Sequence, residues 1–487
     1  MNNPVRKIAV SVMVMILLLF ANLTYVQVVK ADDYRNDSRN QRTAYAEYSR
    51  QRGQITADGK VLAQSVATDD RMRFQRQYPG GPAFASVTGY LSLSFGRTGI
   101  EGAADSILNG TDDRLFVRRL SDLITGRDPR GGNVSLTIMP TVQQVAYNQL
   151  TQKGYAGSVV ALDPRTGAIL AMVSTPSFDP NPLASHNDKT VQDAWNTDNA
   201  AKPQVLLNRA ISVPQPPGST FKIVDTAAAL QNGSTPDTVL TAEPEIPLDD
   251  GVTTLENYAH TPCGTGATTT LRDAFARSCN TAFAELITSV GIDKLRTQAD
   301  AFGIGQSDLT IPMTVAPSTI GNITSVTALQ QSAIGQLDVK LTPLQNAMIT
   351  ASVANGGQLM APYLIKEIQG PELDTVDTTE PDRIGSAVPA GVAATLTDLM
   401  IGSENRTQGG GKISGVQIAS KTGTAELGSK DIPPHAWYVA FAPADKPTVA
   451  IAVLVENGGD RGLEATGGSV AAPIGRAVIA ETLKAGR

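Results

Sequence analysis

The sequence is poor in the residues that most often bind metals. Its 487 residues include three histidines and two cysteines, and neither set has the spacing of a metal site. We therefore predict no metal and no cofactor. Any catalysis is expected to depend on serine, lysine, aspartate or glutamate.

Charged residues are also few, at 18% of the chain, and the formal net charge is −6. Blocks of Lys and Arg that contact nucleic acid are missing, so a nucleic-acid partner is not expected. In contrast, 41% of the residues are hydrophobic, which supplies a folded core and excludes wholesale disorder. The length is that of about three domains, or of two if one is large.

The one long hydrophobic run is Ile8–Val29, directly after Arg6-Lys7. As a helix it would be about 33 Å long, enough to cross the hydrocarbon core of a bilayer. A cleaved signal peptide is the alternative, but Val28–Asp32 offers no clean small-residue cleavage site. We predict a transmembrane anchor over 8–29, a cytoplasmic tail over 1–7 because this flank is basic, and the bulk of the chain outside the cell membrane.

Residues 30–154 are predicted to form a small, non-catalytic α+β pedestal. Asp58-Gly59 is a hairpin turn pair between two β-like pieces, and Asn133–Ile138 has the composition of a strand. Pro140-Thr141 is typical of a helix start. The segment is too short for a glycosyltransferase domain, which we exclude.

Residues 155–487 are predicted to form one large domain. Apolar strands occur at both of its ends with helical stretches between them, so its sheet must close late in the chain. The acidic segment 369–386 is predicted to be a solvated loop, with a partner-binding site as the alternative. The apolar strands at the two ends of this domain are predicted at Ser158–Asp163 and Ala168–Val173, and at Trp437–Phe441 and Thr448–Val455.

Ser219 and Lys222 form an S-x-x-K pattern after Pro217-Gly218, at the expected start of an apolar helix. Residues three apart lie on one helix face, so the hydroxyl and the amine can meet. Free N–H groups at a helix start favour a developing oxyanion, and a lysine of lowered pKa can act as base for a serine. Taken alone, the pattern also fits an N-cap serine followed by a surface lysine.

Ser278 and Asn280 form an S-x-N pattern between two helix-like segments, where a short loop can present polar groups to a cleft. Taken alone, this pattern also fits a helix cap. Its middle residue is Cys279, and outside the membrane a bridge to Cys263 is chemically allowed. Such a bridge would contribute about 3 kcal/mol if unstrained, and two free thiols are the alternative that the sequence leaves open.

Lys421, Thr422 and Gly423 form the only K-T-G of the chain, followed by Thr424, at the end of a β-like run over 415–420. A strand-borne lysine with flanking hydroxyls can hold a substrate carboxylate, and the glycine leaves room for close backbone approach. In isolation, the pattern also fits a surface strand end with a solvated lysine.

In this order, S-x-x-K, S-x-N and K-T-G resemble the motifs of penicillin-binding proteins and class A β-lactamases. The chain is most similar to class B penicillin-binding proteins, in particular the actinobacterial penicillin-binding protein A group. The pedestal departs from the family, because Arg52–Gly59 is shorter than its R-G-x-I-x-D-R-x-G signature and lacks the D-R pair. Other segments whose sequence is similar to that of the family are Gly335-Gln336, Thr342–Gln345, Asn355–Gly357 and His435–Tyr438.

The resemblance implies a fold and a reaction. The fold class is α/β: a penicillin-binding/β-lactamase-like transpeptidase domain with a mainly antiparallel sheet, helices on both faces and an all-α subdomain. The implied enzyme is a D,D-transpeptidase that cross-links peptidoglycan stem peptides, releases D-Ala and is acylated by β-lactams. Further implied partners are the membrane, through the N-terminal helix, and proteins of a cell-wall synthesis complex.

The resemblance also implies a role for each motif residue, which requires the three motifs to converge on one cleft. The implied roles are Ser219 as nucleophile, Lys222 as base, Ser278 as proton donor to the leaving D-Ala, Asn280 as hydrogen-bond partner of Lys222 and substrate, Lys421 with Thr422 and Thr424 as carboxylate site, Gly423 as the point of close approach, and the N–H groups of Ser219 and Thr424 as oxyanion hole.

Other functions remain open. A D,D-carboxypeptidase or a β-lactamase would share the fold, but no E-x-x-L-N-like element, which would supply the deacylating glutamate of class A β-lactamases, lies between Ser278 and Lys421. A non-catalytic scaffold of a cell-wall complex is disfavoured because the three motifs are intact. A β-lactam sensor would need a signalling part inside the cell, and the tail 1–7 is too short for one.

Overall fold

The computed structural model describes residues 3–35, 48–116, 124, 130–428 and 431–486. Helix α1 (Asn3–Thr24) continues in a π-helical turn, Tyr25–Val29, and a short α2 (Ala31–Arg35) follows. Within the described residues, Asn3–Val29 is the segment long and apolar enough to cross a membrane, with a mean hydropathy of 2.3. The predicted run 8–29 therefore lies within a helix that begins at Asn3.

The pedestal is built around short strands and helices. The Asp58-Gly59 turn joins two antiparallel strands, so the predicted hairpin is confirmed, as is the helix that begins at Pro140. The elements are β1 (Ile55–Ala57), β2 (Lys60–Ala67), β3 (Phe74–Gln77), α3 (Ala85–Thr88), β4 (Leu91–Ser92), β5 (Gly96–Arg97), α4 (Gly99–Ala103), α5 (Asp105–Leu108), β6 (Asn133–Leu136) and α6 (Pro140–Thr151), with 3₁₀ turns at Gly81–Phe84 and Asp113–Leu115.

A buried charge cluster holds the pedestal together. Glu101 is fully buried on α4 and accepts hydrogen bonds from Arg52 Nε at 2.7 Å and Arg76 Nε at 2.5 Å. Although burial opposes ionisation, the charges of Arg76 and Arg52 keep the pKa of Glu101 below its usual value. A buried carboxylate that loses such a partner is costly. Arg52, from the shortened family signature, is thus bonded to α4.

The rest of the chain contains the remaining elements. Its strands are β7 (Gly157–Leu162), β8 (Ile169–Thr175), β9 (Val239–Thr241), β10 (Glu245–Pro247), β11 (Thr254–Glu256), β12 (Thr268–Thr270), β13 (Gln358–Met360), β14 (Ile365–Gln369), β15 (Thr375–Thr378), β16 (Arg383–Ser386), β17 (Ala419–Ala425), β18 (His435–Ala442) and β19 (Val449–Val455). Its helices are α7 (Pro180–Leu183), α8 (Asp188–Ala200), α9 (Arg209–Ser212), α10 (Lys222–Gln231), α11 (Leu271–Arg277), α12 (Asn280–Val290), α13 (Ile292–Ala301), α14 (Val326–Ser332), α15 (Pro343–Ala354), α16 (Ala390–Arg406) and α17 (Ala472–Ala485). Short 3₁₀ and π-helical segments are Gly218–Phe221, Tyr258–His260, Glu456–Glu464 and Gly467–Ala471.

One antiparallel sheet, in the order β17-β18-β19-β7-β8, separates two apolar cores. Along β7, Val159 and Ala161 share a core with α6 and α17, whereas Val160 and Leu162 share the other core with α10, α15 and α16. Because both faces are covered, these strands have nearly continuous apolar sequences. The prediction that strands from the two ends of this unit form one sheet is confirmed.

The acidic segment 369–386 differs from the prediction. Instead of a solvated loop throughout, it contains β15, which pairs with β14, and β16, which pairs with β13. Strands β14 and β15 complete the pedestal sheet, whose order is β15-β14-β6-β1-β2-β3. This sheet crosses the proposed division at residue 154, which therefore stays a prediction.

The all-α subdomain that the resemblance implies corresponds to a mostly helical region that includes α10 to α14. It contains in addition two short antiparallel ribbons, β9 with β12 and β10 with β11. The β10–β11 ribbon leads directly into residues that contact the S-x-N motif.

Candidate active site

Ser219 lies in the 3₁₀ turn Gly218–Phe221, which passes into α10 at Lys222. The turn is fixed from behind, since Gly218 N donates to Gly335 O at 3.1 Å. A Cβ at Gly335 would lie 2.1 Å from Gly218 O, so only glycine allows this approach. The half-buried Ser219 hydroxyl therefore sits on a rigid helix start, as the sequence predicts.

Lys222 is fully buried. Its Nζ contacts the serine of the S-x-x-K pattern and both the serine and the asparagine of the S-x-N pattern. Nζ lies 3.1 Å from Ser219 Oγ, 2.8 Å from Ser278 O and 2.8 Å from Asn280 Oδ1. Burial, with the charge of Lys421 added to it, holds the pKa of Lys222 well below its usual value. Burial also raises the pKa of Asp225, one turn further on, whereas the charge of Lys222 opposes that rise.

Ser278 occupies the two-residue connection between α11 and α12 in a left-handed conformation, with φ 64° and ψ 39°. This conformation is uncommon outside glycine and turns the chain so that both the carbonyl and the hydroxyl of Ser278 face the lysines. Its Oγ lies 2.8 Å from Lys421 Nζ and 3.5 Å from Lys222 Nζ. Ser278 thus bridges the two amines.

Lys421 lies inside strand β17, which runs from Ala419 to Ala425 and pairs along its length with β18. The predicted strand over 415–420, with K-T-G at its end, is therefore displaced toward the C-terminus. Burial lowers the pKa of Lys421 to about 7. Its Nζ is bonded to Ser278 Oγ and to Thr422 O at 3.1 Å, so the ammonium lies behind the strand rather than in open solvent.

The K-T-G strand passes directly against the turn that contains Ser219. A Cβ at Gly423 would lie 2.6 Å from Pro217 O, which explains glycine at this position. Thr422 and Thr424 alternate with the buried residues and keep partly exposed side chains on one face. The structure thus brings the predicted residues Ser219, Lys222, Ser278, Asn280, Lys421, Thr422, Gly423 and Thr424 to one place.

Two side chains of β18 hold the segment ahead of Ser219. Trp437 Nε1 donates to Pro216 O at 2.8 Å, and His435 Nε2 lies 3.2 Å from Gln215 Oε1. His435 Nδ1 accepts from Asn457 N at 3.1 Å, and burial lowers the pKa of His435 to about 4, so the ring is neutral. These contacts fix the chain that approaches Ser219.

Sequence reasoning missed Asn346 and Asn257. Asn346 Nδ2 donates to Thr220 Oγ1 at 3.0 Å, and Thr220 Oγ1 in turn donates to Pro217 O at 2.9 Å. Asn257 Oδ1 accepts from Asn280 N at 2.7 Å. Both asparagines are far from the motifs in sequence, so no local spacing could indicate them.

The structure joins Cys263 and Cys279 by a disulfide, with the Cα atoms 5.8 Å apart. We predict that the bridge stabilises the S-x-N loop. Reduction of the native protein is expected to cost about 3 kcal/mol by the loop-entropy relation. The thermal midpoint should then fall by about 6 °C, measured with and without reductant.

The double variant Cys263→Ser/Cys279→Ser is the control, because its Tm should not respond to reductant. Titration of thiols in unfolded, non-reduced protein should find none. Two reactive thiols would contradict the bridge.

The chain matches the penicillin binding protein transpeptidase domain over residues 157–480 and the penicillin binding protein A dimerisation domain over residues 52–134. The chain belongs to the penicillin-binding protein transpeptidase family. It is 57% identical to the peptidoglycan D,D-transpeptidase PbpA of Mycolicibacterium smegmatis, with 100% of both chains covered, and 55% identical to PbpA of Mycobacterium tuberculosis, with 99% of both covered.

Solved structures of this family superpose on the chain. The ceftriaxone acyl-enzyme complex of penicillin-binding protein A from M. tuberculosis has a TM-score of 0.89 at 55% identity and covers 90% of this chain and 100% of its own. The penicillin G acyl-enzyme complex of the same protein has a TM-score of 0.86 at 54% identity, with 89% and 100% covered. The predicted resemblance to the penicillin-binding protein A group and the predicted fold class are confirmed.

Proposed function

We propose that this protein is a serine D,D-transpeptidase that cross-links peptidoglycan stem peptides through an acyl-enzyme on Ser219. The observation that carries the proposal is the environment of Lys222. One buried amine touches the hydroxyl of Ser219 and both polar groups of the S-x-N motif, while Lys421 lies on the far side of Ser278. This arrangement suits a nucleophile with a neutral base beside it.

Acylation follows from these contacts. Ser219 Oγ attacks the carbonyl carbon between the two D-Ala residues of a donor peptide, and neutral Lys222 takes the hydroxyl proton. The C–N bond then breaks, and Ser278 passes a proton to the departing D-Ala amine, with Lys222 and Lys421 both within reach of its Oγ. The N–H groups of Ser219 and Thr424 stabilise the oxyanion, because β17 lies against the nucleophile's turn.

The donor's terminal carboxylate is assigned to Thr422 and Thr424. Their partly exposed hydroxyls can contact it directly, whereas Lys421 is buried and bonded to Ser278. Lys421 then acts by its charge from behind the strand. Asn280 has one amide proton left for the substrate, because Oδ1 accepts from Lys222 and Nδ2 donates to Glu256 O at 2.9 Å.

In the second half-reaction an acceptor amine attacks the acyl-enzyme and forms the cross-link. The test uses the full chain in detergent with a stem pentapeptide donor and an amine acceptor. We expect D-Ala release, cross-linked product and a slowly decaying penicillin adduct that mass spectrometry maps to Ser219. D-Ala release without cross-linking at any acceptor concentration would indicate a carboxypeptidase, rapid penicillin turnover a β-lactamase, and no adduct a scaffold.

The same proposal extends to location and partners. The helix Asn3–Val29 would anchor the protein in the cell membrane as a single span, with the bulk outside, where stem peptides are found. Residues 30–154 would serve as the non-catalytic pedestal of the transpeptidase domain 155–487. We infer that proteins of a cell-wall synthesis complex are further partners of this chain.

The pH dependence of acylation should show the loss of the Lys421 charge. Because the pKa of Lys421 is about 7, its cation is lost as the pH rises, and the second-order rate constant for penicillin should fall about tenfold per pH unit above that value. Stopped-flow acylation between pH 5 and 10 measures this. The Lys421→Arg variant should lack this alkaline fall, since a guanidinium keeps its proton; a wild-type profile that is flat to pH 9.5 contradicts the assignment.

A further inference from the structure

Helix α12 begins at Asn280, and its first N–H groups need acceptors from outside the helix. The residue at the N-cap position, where Ser, Thr, Asp or Asn is preferred, is Cys279. Its side chain makes no capping hydrogen bond and is engaged in the disulfide with Cys263. The helix that presents Asn280 is therefore capped by a different residue.

Asn257 supplies that cap from the end of the β10–β11 ribbon. Its Oδ1 accepts from Asn280 N at 2.7 Å, from Thr281 N at 3.1 Å and from Thr281 Oγ1 at 3.3 Å. Its Nδ2 donates to Glu243 O and to Thr261 O, both at 3.1 Å. Every polar atom of this buried side chain is thus used, which fixes its amide orientation.

The chain around Asn257 is shaped to make these bonds. Ala259 and His260 are consecutive non-glycine residues in the left-handed region, with φ 53° and 51°. This reversal returns Thr261 O to Asn257 Nδ2 and carries the chain on to Cys263. Strained backbone of this kind persists where the surroundings over-determine it, and it concentrates at functional sites.

Two consecutive residues therefore hold Asn280 at both its backbone and its side chain. Asn257 binds its N–H, and Glu256 O accepts from its Nδ2 at 2.9 Å, while its Oδ1 faces Lys222 Nζ at 2.8 Å. We propose that Asn257 is a positioning residue that sets Asn280 against Lys222 for acylation. This inference rests on the proposed function of the site.

The test compares two variants of the full chain in detergent, using a fluorescent penicillin at the pH optimum of each. Asn257→Ala removes the acceptor, and the acylation rate constant should fall about 10- to 100-fold, as small misplacements of reacting groups do. Asn257→Asp keeps an acceptor at a helix N-terminus and should stay within about threefold of wild type. Both lose the donors to Glu243 and Thr261, so both should lower Tm.

The separation of rate from Tm distinguishes positioning from general stability. Asn187→Ala is the matched control, since Asn187 caps α8 by accepting from Thr190 N at 3.0 Å outside the site, and its rate should equal wild type. An Asn257→Ala protein that acylates at the wild-type rate, or two variants that slow equally, overturns the inference. If Asn257→Ala does not fold, Asn257→Asp decides alone, and a fall of more than about tenfold overturns it.

The inference and the proposed function fail in different ways. If wild-type protein forms no penicillin adduct, the proposed function is wrong. If wild-type protein is acylated normally and the Asn257 variants do not separate as described, only the positioning role is wrong.

Discussion

Replacement of Ser219 by alanine is expected to remove the penicillin adduct and to lower D-Ala release about 10⁴-fold or more. The half-exposed Ser219 hydroxyl lies 3.1 Å from Lys222 Nζ, closer than the Ser278 hydroxyl at 3.5 Å. The fold should be unchanged, because the 3₁₀ turn is held by Gly335 and Pro217 rather than by this side chain. Gel fluorescence with a labelled penicillin measures the adduct.

Ser212→Ala is the control for this variant, since Ser212 is an exposed serine at the end of α9. It should bind penicillin as wild type does. If the Ser219→Ala protein has the native Tm and still forms the penicillin adduct, another residue is the nucleophile and the proposed mechanism is wrong.

Replacement of Lys222 by alanine should slow acylation about 10³- to 10⁴-fold, within the range for loss of a general base beside its nucleophile. Lys222→Arg should not restore the rate, because a guanidinium cannot give up its proton at usable pH. The same substitution keeps a positive charge, so it separates the need for a base from the need for a cation. Stopped-flow acylation with the same penicillin measures both variants.

Lys294→Ala, on the exposed face of α13, is the matched control and should acylate at the wild-type rate. Lys222→Ala is expected to lose some stability as well, since a cavity replaces a buried side chain. The rate must therefore be compared at temperatures well below the Tm of each variant. Acylation of Lys222→Ala at the wild-type rate would contradict its role as base.

Local patterns were sufficient for the hairpins and for the start of α10. The strands at Ser158–Asp163 and Trp437–Phe441 are continuous apolar runs bounded by turn residues. Such runs can be recognised in the sequence without knowing which strands they pair with. Pro217-Gly218 likewise marks the entry to the turn that contains Ser219. The convergence of the three motifs, in contrast, came from resemblance, because nothing local brings Ser278 to Lys421.

The errors have a common physical cause. β15 (Thr-Val-Asp-Thr) is mostly exposed and becomes a strand only by pairing with β14. β17 includes Gly423, a poor strand former, and is held in the sheet by its full register with β18. Asn257 acts across 23 residues on Asn280, so its role depends on tertiary structure alone. Non-local pairing is thus the part of this fold that the sequence did not indicate.

The completion of the pedestal sheet by β14 and β15 constrains how the protein is made and how it can evolve. During synthesis, β6 keeps an open edge until β14 (Ile365–Gln369), the strand that pairs with it, has been made. Such an edge invites wrong pairing, so folding of the first sheet is tied to the synthesis of much of the second unit. Recombination between relatives also could not exchange the pedestal as one piece. The two distant gene segments that encode its sheet would have to be exchanged together.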